Sequence, residues 1–325
     1  MKILLIGPVP PPLGGISVFI KRYSRQLQKE GHEVDILDIS RLTRFRCYLW
    51  LLTAPLGLYS GIHVHSFSFG LLMMLLLRGA AGKTQLVDHG ERDRLGCLKT
   101  GLLRLFLSRC QTLSLDGSQL RQYYIDRGIV LPADTRVQHP FLPPPLEEEA
   151  GILQSYPPDV NRFVDQRHPL IIANAYRLAI YDGVDLYGLD MCVELVDGLN
   201  KTHPRLGLLF VLAEEDETRK EYFLEMNRRI DILGLKKYFH FMTGQKELWP
   251  LFKKAQLMVR PTFRDGFGIS VAEALYFNCP AVASDAAERA KGTILFANRD
   301  GKDFLAKCAG VLRHLENPRE PEQSQ

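Results

Sequence analysis

Strand-like and helix-like segments alternate along nearly the whole of this 325-residue chain. Near its start, apolar strands at 2–6 and 33–38 enclose a segment, 16–29, whose apolar residues recur at helical spacing. A strand, a helix and a second strand in this order form a βαβ unit with parallel strands. The alternation therefore predicts an α/β fold with doubly wound parallel sheets.

The alternation is interrupted once, at 140–158, where six prolines and the run Glu147–Glu149 stand. Further strands are predicted before this interruption at 61–65, 84–87, 112–115 and near Val137. Beyond it we predict strands at 170–173, 206–212, 238–242 and 256–260, and helices at 186–200, 218–233, 246–255 and 269–277.

This pattern, with a length that suits two domains of roughly 150 residues each, predicts two Rossmann-like domains. We place the first over 1–142 and the second over 169–317, with 143–168 as a linker or an irregular start of the second domain. Residues 318–325 are predicted to be a disordered tail. Ligands of such folds bind at the carboxyl ends of the strands, so we expect a cleft between the two sheets.

The cysteines and the apolar runs indicate the cellular compartment in which the protein works. Six cysteines are scattered without a C-x-x-C pair, which argues against a disulfide framework or a zinc site and favours a reducing compartment. The run Leu71–Leu77 has seven apolar residues, against about 20 needed to cross a bilayer. We predict a cytoplasmic protein.

Charge is divided unevenly along the chain. Up to Leu146 there are 18 Lys and Arg against 10 Asp and Glu, and after it 23 against 27. The basic half should face an anionic partner. Arg41, Arg44 and Arg46 stand beside an apolar aromatic cluster, which suits either an anionic membrane surface or the basic outer face of a helix packed on the core. No nucleic-acid-binding motif is present.

Residues 261–273 place two glycines and two carboxylates around a predicted helix start. Free N–H groups and the helix dipole favour phosphate there, and Gly268 allows close approach. Asp265 and Glu273 are acceptors suited to hydroxyls, so the segment suits a sugar nucleotide better than a bare phosphate. A second interpretation is a capping box, in which Glu273 pairs with Ser270 to close the helix start.

This segment resembles the signature of the retaining glycosyltransferases of the GT-B fold, known as group 1 or family 4. That signature has two acidic residues separated by seven others, and Asp265 and Glu273 stand at this separation with Gly266-Phe267-Gly268 between them. The resemblance implies that Asp265 contacts the donor sugar, Glu273 the ribose, and Gly268, Ile269 and Ser270 the diphosphate. The family usually has glutamate where Asp265 stands.

Four further positions fit the family frame. Gly14 and Gly15 resemble its glycine loop near the donor, although a plain tight turn explains them as well. Arg177 matches the family's strand-end arginine, but Asp182 stands where a lysine is usual, so Arg177, the helix dipole, Arg264 or Arg260 must compensate the diphosphate charge. A structural arginine on a loop is the alternative for Arg177. His89 matches a histidine near the donor sugar.

The sequence disfavours two other chemistries. His63, His65 and Asp88 could suggest a metal site, but their spacing fits no helical ligand pair, and a core or supporting position is favoured for His65. Neither glycine-rich segment fits G-x-G-x-x-G, so a nicotinamide enzyme is disfavoured.

The resemblance implies a metal-independent glycosyltransferase without a separate cofactor, whose substrate is a UDP- or GDP-linked sugar. The acceptor would be a lipid-linked saccharide or polysaccharide in cell-surface glycan synthesis, and peripheral attachment to the inner face of the membrane would follow. One alternative is a catalytically impaired homologue that serves as a binding or scaffold subunit, favoured by Asp182, Asp265 and the run 286–288, where the family usually has glycines. A nucleotide-sugar epimerase of the same fold is a third hypothesis.

Overall fold

The computed structural model describes residues 1–90, 96–139 and 141–316. The chain divides into two compact units, Met1–Leu142 and Pro143–Gln325, and each contains one six-stranded parallel sheet flanked by helices. The predicted α/β fold with two Rossmann-like domains is confirmed. The predicted tail at 318–325 lies outside the described residues. Among the helices described, none is both long and apolar enough to cross a bilayer.

The first unit alternates strands and helices as predicted. Its strands are β1 (Lys2–Gly7), β2 (Glu33–Asp38), β3 (Gly61–Val64), β4 (Thr84–Asp88), β5 (Thr112–Leu115) and β6 (Thr135–Val137). Its helices are α1 (Gly15–Lys29), α2 (Arg44–Thr53), α3 (Phe69–Leu77), α4 (Cys97–Leu107) and α5 (Ser118–Asp126). The sheet order is β2-β1-β3-β4-β5-β6, so the sheet changes its direction of growth between β1 and β3.

Alternate residues of β1 show how the first sheet is covered. Leu4 and Ile6 lie in a core cluster with residues of α2, α3, α4 and α5. Ile3 and Leu5 lie in a second cluster with Ile20 and Leu27 of α1. Since successive strand side chains point to opposite faces, α1 covers one face of the sheet and α2 to α5 cover the other.

The second unit repeats this architecture with additions. Its strands are β7 (Leu170–Ala175), β8 (Ile180–Tyr181), β9 (Val184–Asp185), β10 (Gly207–Leu212), β11 (Phe239–Thr243), β12 (Leu257–Arg260), β13 (Ala281–Ser284) and β14 (Ile294–Phe296). Its helices are α6 (Glu149–Gln154), α7 (Pro158–Gln166), α8 (Leu189–Leu199), α9 (Lys220–Ile232), α10 (Trp249–Phe252), α11 (Ile269–Tyr276) and α12 (Gly301–Glu316). The sheet order is β11-β10-β7-β12-β13-β14, and β8 and β9 form a separate antiparallel hairpin.

The segment 143–168 differs from the predicted linker or irregular start. It contains α6 and α7, and Val160, Phe163 and Val164 of α7 pack into the core beneath the sheet. Pro158 stands at the start of α7, where proline favours a helix because no N–H is needed there. One proline of this segment, Pro158, therefore begins a helix, although the prolines interrupt the alternation of strands and helices in the sequence.

Candidate functional site

The carboxyl ends of β7 and β12 lie side by side at the point where the second sheet changes its direction of growth. The two strands pair in parallel, with Val259 opposite Ala173. Residues 261–268 follow β12 and lead directly into α11. In doubly wound sheets ligands bind outside the carboxyl strand ends at such a point, so the signature segment stands where the fold favours a ligand.

Gly268 caps the start of α11 in a conformation that only glycine adopts readily. Its φ is +75°, and a β-carbon there would lie 2.8 Å from Nη1 of Arg289 and 3.3 Å from Nε of Arg260. The backbone thus passes directly over two guanidinium groups. The first N–H groups of a helix have no carbonyl partner within the helix, so α11 begins with donors next to two cations.

Ser270 links α11 to β7. Its hydroxyl donates to Oδ1 of Asn174 at 2.9 Å, and the same oxygen accepts a hydrogen bond from Nη1 of Arg260 at 3.2 Å. Ser270 is the second residue of the helix, whereas the N-cap is Gly268. The capping-box interpretation is therefore wrong. Glu273 lies one turn further along and is buried.

Asp265 lies between two arginines. Its Oδ1 accepts from Nη2 of Arg260 at 2.9 Å, and its Oδ2 accepts from Nη1 of Arg289 at 2.6 Å and from the hydroxyl of Thr262 at 3.1 Å. Burial would raise the pKa of Asp265, but the positive charges of Arg260 and then Arg289 hold it far below its usual range. The cluster of two guanidinium groups and one carboxylate thus carries one net positive charge.

This geometry changes the interpretation of Asp265. The carboxylate lies where the signature predicts, but guanidinium groups occupy both of its oxygens, so it orients Arg260 and Arg289 beneath the start of α11. Arg289 was missed by the sequence analysis, because it follows the neighbouring strand β13, 24 residues from Asp265. The parallel pairing of β12 and β13 is the signal that brings it there. The contact of Asp265 with a donor sugar stays a prediction.

Arg177 lies exposed on the loop that follows β7. The hairpin beyond it explains the aspartate at the family's lysine position. Asp182 and Gly183 join β8 to β9 with φ angles of +50° and +77°, and a two-residue turn of type I′ requires positive φ at both positions. Asp-Gly is a favoured pair for this turn, so Asp182 has a conformational role. Arg264 lies over the ring of Tyr181 in the same hairpin, 4.6 Å from the centroid.

Gly14 and Gly15 begin α1 in the first unit. Gly14 is the N-cap, and its N–H donates to the hydroxyl of Ser17 at 2.9 Å. Its φ is −109°, and a β-carbon there would meet only that hydroxyl, at 3.9 Å. Gly15 is exposed. Neither φ nor packing requires glycine at Gly14, which contrasts with Gly268.

His89 belongs to a cluster of aromatic and imidazole rings at the ends of β3 and β4, in which His65 is buried and the other rings are partly buried. Its Nε2 lies 3.2 Å from Nδ1 of His65, and its ring packs edge-on against Phe19. Tyr23 contacts Nδ1 of His63 at 3.1 Å. Burial lowers the pKa of His89 and of His63 to about 4, and it also lowers that of His65. These imidazoles are therefore neutral at pH 7.

The hydrogen bond between the two histidines fixes their tautomers. Nε2 of His65 is buried and has no hydrogen-bond partner in the described part of the chain. A buried N–H without a partner costs more than an unused acceptor, so we assign the proton of His65 to Nδ1, which donates to His89. His89 then carries its own proton on Nδ1 and presents a neutral donor. Within 1–90, 96–139 and 141–316, no three His, Cys, Asp or Glu side chains group so as to hold a metal ion.

Solved structures resemble the described chain over almost its whole length. HepE from Anabaena, solved in complex with UDP, has a TM-score of 0.65 at 13% identity, covering 98% of this chain and 91% of that chain. The trehalose 6-phosphate synthase of Burkholderia multivorans has a TM-score of 0.66 at 13% identity, with 98% and 91% covered. Sucrose-phosphate synthase from Thermosynechococcus elongatus has a TM-score of 0.61 at 15% identity, with 98% and 90% covered.

At such identities the likeness shows the fold, which is GT-B. Residues 183–314, within the second unit, match the family model described as "Glycosyl transferases group 1". The part of the chain that is similar to group 1 glycosyltransferases therefore lies in the second unit and extends from the turn between β8 and β9 into α12. No curated protein sequence matches the chain significantly.

Proposed function

We propose that the protein transfers a sugar from a nucleoside diphosphate sugar to an acceptor hydroxyl with retention of the anomeric configuration. The observation that carries this proposal is the start of α11, where Gly268 lays the backbone over Arg260 and Arg289 at the carboxyl edge of the sheet. Helix-start N–H groups and a net positive cluster suit a diphosphate. The acceptor is proposed to be a lipid-linked saccharide or a polysaccharide in cell-surface glycan synthesis.

The assignments of the signature follow this placement. Gly268, Ile269 and Ser270 would bind the diphosphate, Glu273 the ribose, and Gly266 and Phe267 would line the approach. Arg177, exposed on the loop after β7, would add a cation. In the first unit, Gly14, Gly15 and His89 are assigned to the donor, and the Nδ1–H of His89 suits a sugar hydroxyl as acceptor.

The proposed reaction needs no protein nucleophile and no metal ion. The bond from the anomeric carbon to the diphosphate oxygen breaks while the acceptor oxygen bonds to that carbon on the same face. The acceptor proton passes to the leaving phosphate. Stabilising the charge of this leaving group is then the main catalytic task, and the guanidinium cluster and the helix start perform it.

Two similar structures favour UDP as the first nucleotide to test. HepE was solved with UDP, and the E. coli trehalose-6-phosphate protein was solved with UDP-2-fluoro glucose. We also propose that the protein works in the cytoplasm. Its six cysteines are all free, which suits a reducing compartment.

A second candidate function is that of a catalytically impaired homologue that binds nucleotide as a scaffold subunit. Two observations favour it. Guanidinium groups engage both oxygens of Asp265, and Asp182 forms a turn where the family usually has a lysine. This candidate predicts nucleotide binding without turnover.

Release of nucleoside diphosphate from UDP-, GDP- and dTDP-sugars separates the two candidates, because only the enzyme hydrolyses its donor slowly without an acceptor. Glu273→Gln and Arg177→Ala should each abolish release, whereas Arg228→Ala, at an exposed arginine on α9, should not. Binding without release from any donor would favour the scaffold. Release at the wild-type rate by both site variants would refute the proposed site.

A further inference from the structure

The two guanidinium groups beneath the start of α11 differ in how many of their N–H donors the protein engages. Each guanidinium group has five such donors in one plane. Those of Arg289 make five hydrogen bonds of 2.6 to 3.3 Å, to the carbonyls of Ser284 and Gly266, the hydroxyls of Thr262 and Ser284, and Oδ2 of Asp265. No donor of Arg289 therefore remains for a ligand.

Arg260 keeps two of its five donors. Its Nε and Nη2 donate to the two carboxylate oxygens of Asp265, and its Nη1 donates to Oδ1 of Asn174 at 3.2 Å. One hydrogen on Nη1 and one on Nη2 have no acceptor in the part of the chain that the structure describes. Arg260 is only 9% exposed, and a buried charged donor without an acceptor is unfavourable. These two hydrogens therefore indicate a site whose acceptors come from a ligand.

The guanidinium group of Arg260 lies against the start of α11. A β-carbon at Gly268, the N-cap, would lie 3.3 Å from its Nε. Its Cζ lies over the ring of Tyr187, 5.9 Å from the centroid, so the ring covers one face of the group and a ligand reaches its edge. The first N–H groups of α11, those of Ile269 and Ser270, have no carbonyl partner within the helix. Backbone and guanidinium donors next to one another suit a multiply charged oxyanion.

Asn174 of β7 holds Arg260 and the helix start together. Its side-chain oxygen accepts from Nη1 of Arg260 at 3.2 Å and from the hydroxyl of Ser270 at 2.9 Å. A guanidinium group only donates, so the atom that faces Arg260 must be Oδ1, and this assigns the orientation of the amide. The amide nitrogen Nδ2 makes no hydrogen bond to any residue that the structure describes. Asn174 is partly exposed, so Nδ2 offers two more N–H donors at the strand end.

Asn174 and Arg260 are exceptions in their strands. All other residues of β7 and β12 are apolar. Val259 pairs with Ala173, so Arg260 and Asn174 come next on the two adjacent strands, at the carboxyl edge of the sheet. A polar side chain in a buried strand is unfavourable unless it is hydrogen-bonded, and ligands of such folds bind at this edge. Two polar side chains at this point therefore indicate a binding role.

We propose that Arg260 and Asn174 bind the diphosphate of the donor directly, whereas Arg289 holds Asp265 in place and does not touch the ligand. This inference rests on the proposed function and adds two contacts that lie outside the signature segment at 261–273. Phosphate oxygens accept the two remaining hydrogens of Arg260 and those of Nδ2 of Asn174, next to the N–H groups of α11.

Arg260 also supplies the cation that the family usually has as a lysine at Asp182. The other arginine near this hairpin, Arg264, lies over the ring of Tyr181. Both oxygens of Asp265 hold Arg260, so its charge is oriented before the donor binds. A cation that is already oriented stabilises the leaving diphosphate without reorganisation.

Calorimetric titration of UDP, GDP and dTDP into the full chain tests these contacts, and the tightest of the three is then used with the variants. Asn174→Asp still accepts from Arg260 and Ser270, so the melting temperature should not fall. An anionic oxygen replaces the Nδ2 donor, so affinity for the nucleotide should fall by about a hundredfold. The control Asn227→Asp adds the same charge on α9, where the amide donates to the carbonyl of Phe223, and should leave affinity unchanged.

Lysine variants compare the two arginines. Arg260→Lys keeps the charge, but an ammonium group lacks the fork that spans Asp265 and a ligand, so affinity should fall by about tenfold. Arg289→Lys should lower the melting temperature, because hydrogen bonds of Arg289 are lost, while the folded protein binds the nucleotide like the wild type.

Three results would overturn the proposal. They are wild-type affinity in Asn174→Asp or in Arg260→Lys, a loss of affinity in Arg289→Lys as large as in Arg260→Lys, and a wild-type chain that binds none of the three nucleotides. The proposed transfer fails separately, because a scaffold would show the predicted losses of binding and yet release no nucleotide from any sugar donor.

Discussion

The carboxyl edges of the two sheets carry opposite chemistry on the same architecture. In the first unit the edge holds neutral rings, with His89 bonded to His65 at 3.2 Å and burial as the cause of their lowered pKa values. In the second unit the edge holds ions, with Asp265 between Arg260 and Arg289. Each sheet reverses its direction of growth between two neighbouring strands, and ligands of such folds bind outside the carboxyl ends of the strands at that point. The topology therefore fixes where a site forms. The side chains decide whether the site stabilises charge or donates hydrogen bonds.

The largest effect should come from breaking the ionic edge. Arg289→Ala leaves Asp265 buried with one guanidinium, so unfolding free energy should fall by about 3–5 kcal/mol in urea denaturation. The matched control is Arg229→Ala, which removes an exposed ion pair with Glu194 and should cost about 1 kcal/mol or less. Equal stability of the two variants would mean that the cluster is not a coupled unit.

The next largest effect compares Gly268 and Gly14, the glycines that are the N-caps of α11 and α1. Gly268→Ala forces a β-carbon into a left-handed conformation and toward Arg289, at a cost of about 1–3 kcal/mol. Gly14→Ala meets no close atom and should stay within about 0.5 kcal/mol of wild type. The melting temperatures of the two variants give the comparison. A cost at Gly14 as large as at Gly268 would show that both starts are fixed by packing.

A fall in pH should lower the stability of the protein through groups at both edges, with a smaller effect than the substitutions above. The pKa values of His63 and His89 are lowered to about 4 in the fold, so their unfolded forms bind more protons between pH 6.5 and 4. Stability should therefore fall as pH drops through this window, by up to about 1.4 kcal/mol per pH unit for each histidine. The lowered pKa of Asp265 adds a loss only below its unfolded value of 3.8.

The measurement is the unfolding free energy against pH for the wild type and for His63→Gln/His89→Gln. The double variant should show a flatter curve between pH 6.5 and 4 and the same decline below pH 4. An unchanged slope in the double variant would show that these two histidines do not carry the acid response.

The sequence predicts the strands better than the helices that pack against them, and the reason is physical. Strands buried on both faces are continuous apolar runs, so the predicted ends of β1, β5 and β10 lie within one residue of the observed ends. By contrast α7 was missed because its prolines indicate a break, although Val160, Phe163 and Val164 have helical spacing. The packing of α12 through Phe304, Cys308 and Leu312 has the same spacing and was also missed.

The candidate site also contains residues that the sequence predicts and residues that it does not. Residues 265–273 are contiguous, so their grouping at a helix start could be predicted, and the structure confirms a helix beginning at Ile269. Asn174 and Arg289 join them from strand ends 86 and 24 residues away from their partners. No pattern in a short stretch of sequence indicates which strands are neighbours in the sheet. The partners of Asp265 therefore required the sheet order.

Calorimetric titration of UDP into three proteins tests the central claim that the start of α11 binds the diphosphate. A β-carbon at Gly266 would meet no atom within 4 Å, so Gly266→Leu should fold normally while filling the approach, and Gly151→Leu on α6 is the matched control with equally open space. We predict equal binding by wild type and Gly151→Leu, with a loss of about tenfold or more in Gly266→Leu at an unchanged melting temperature. Wild-type affinity in Gly266→Leu would contradict the account.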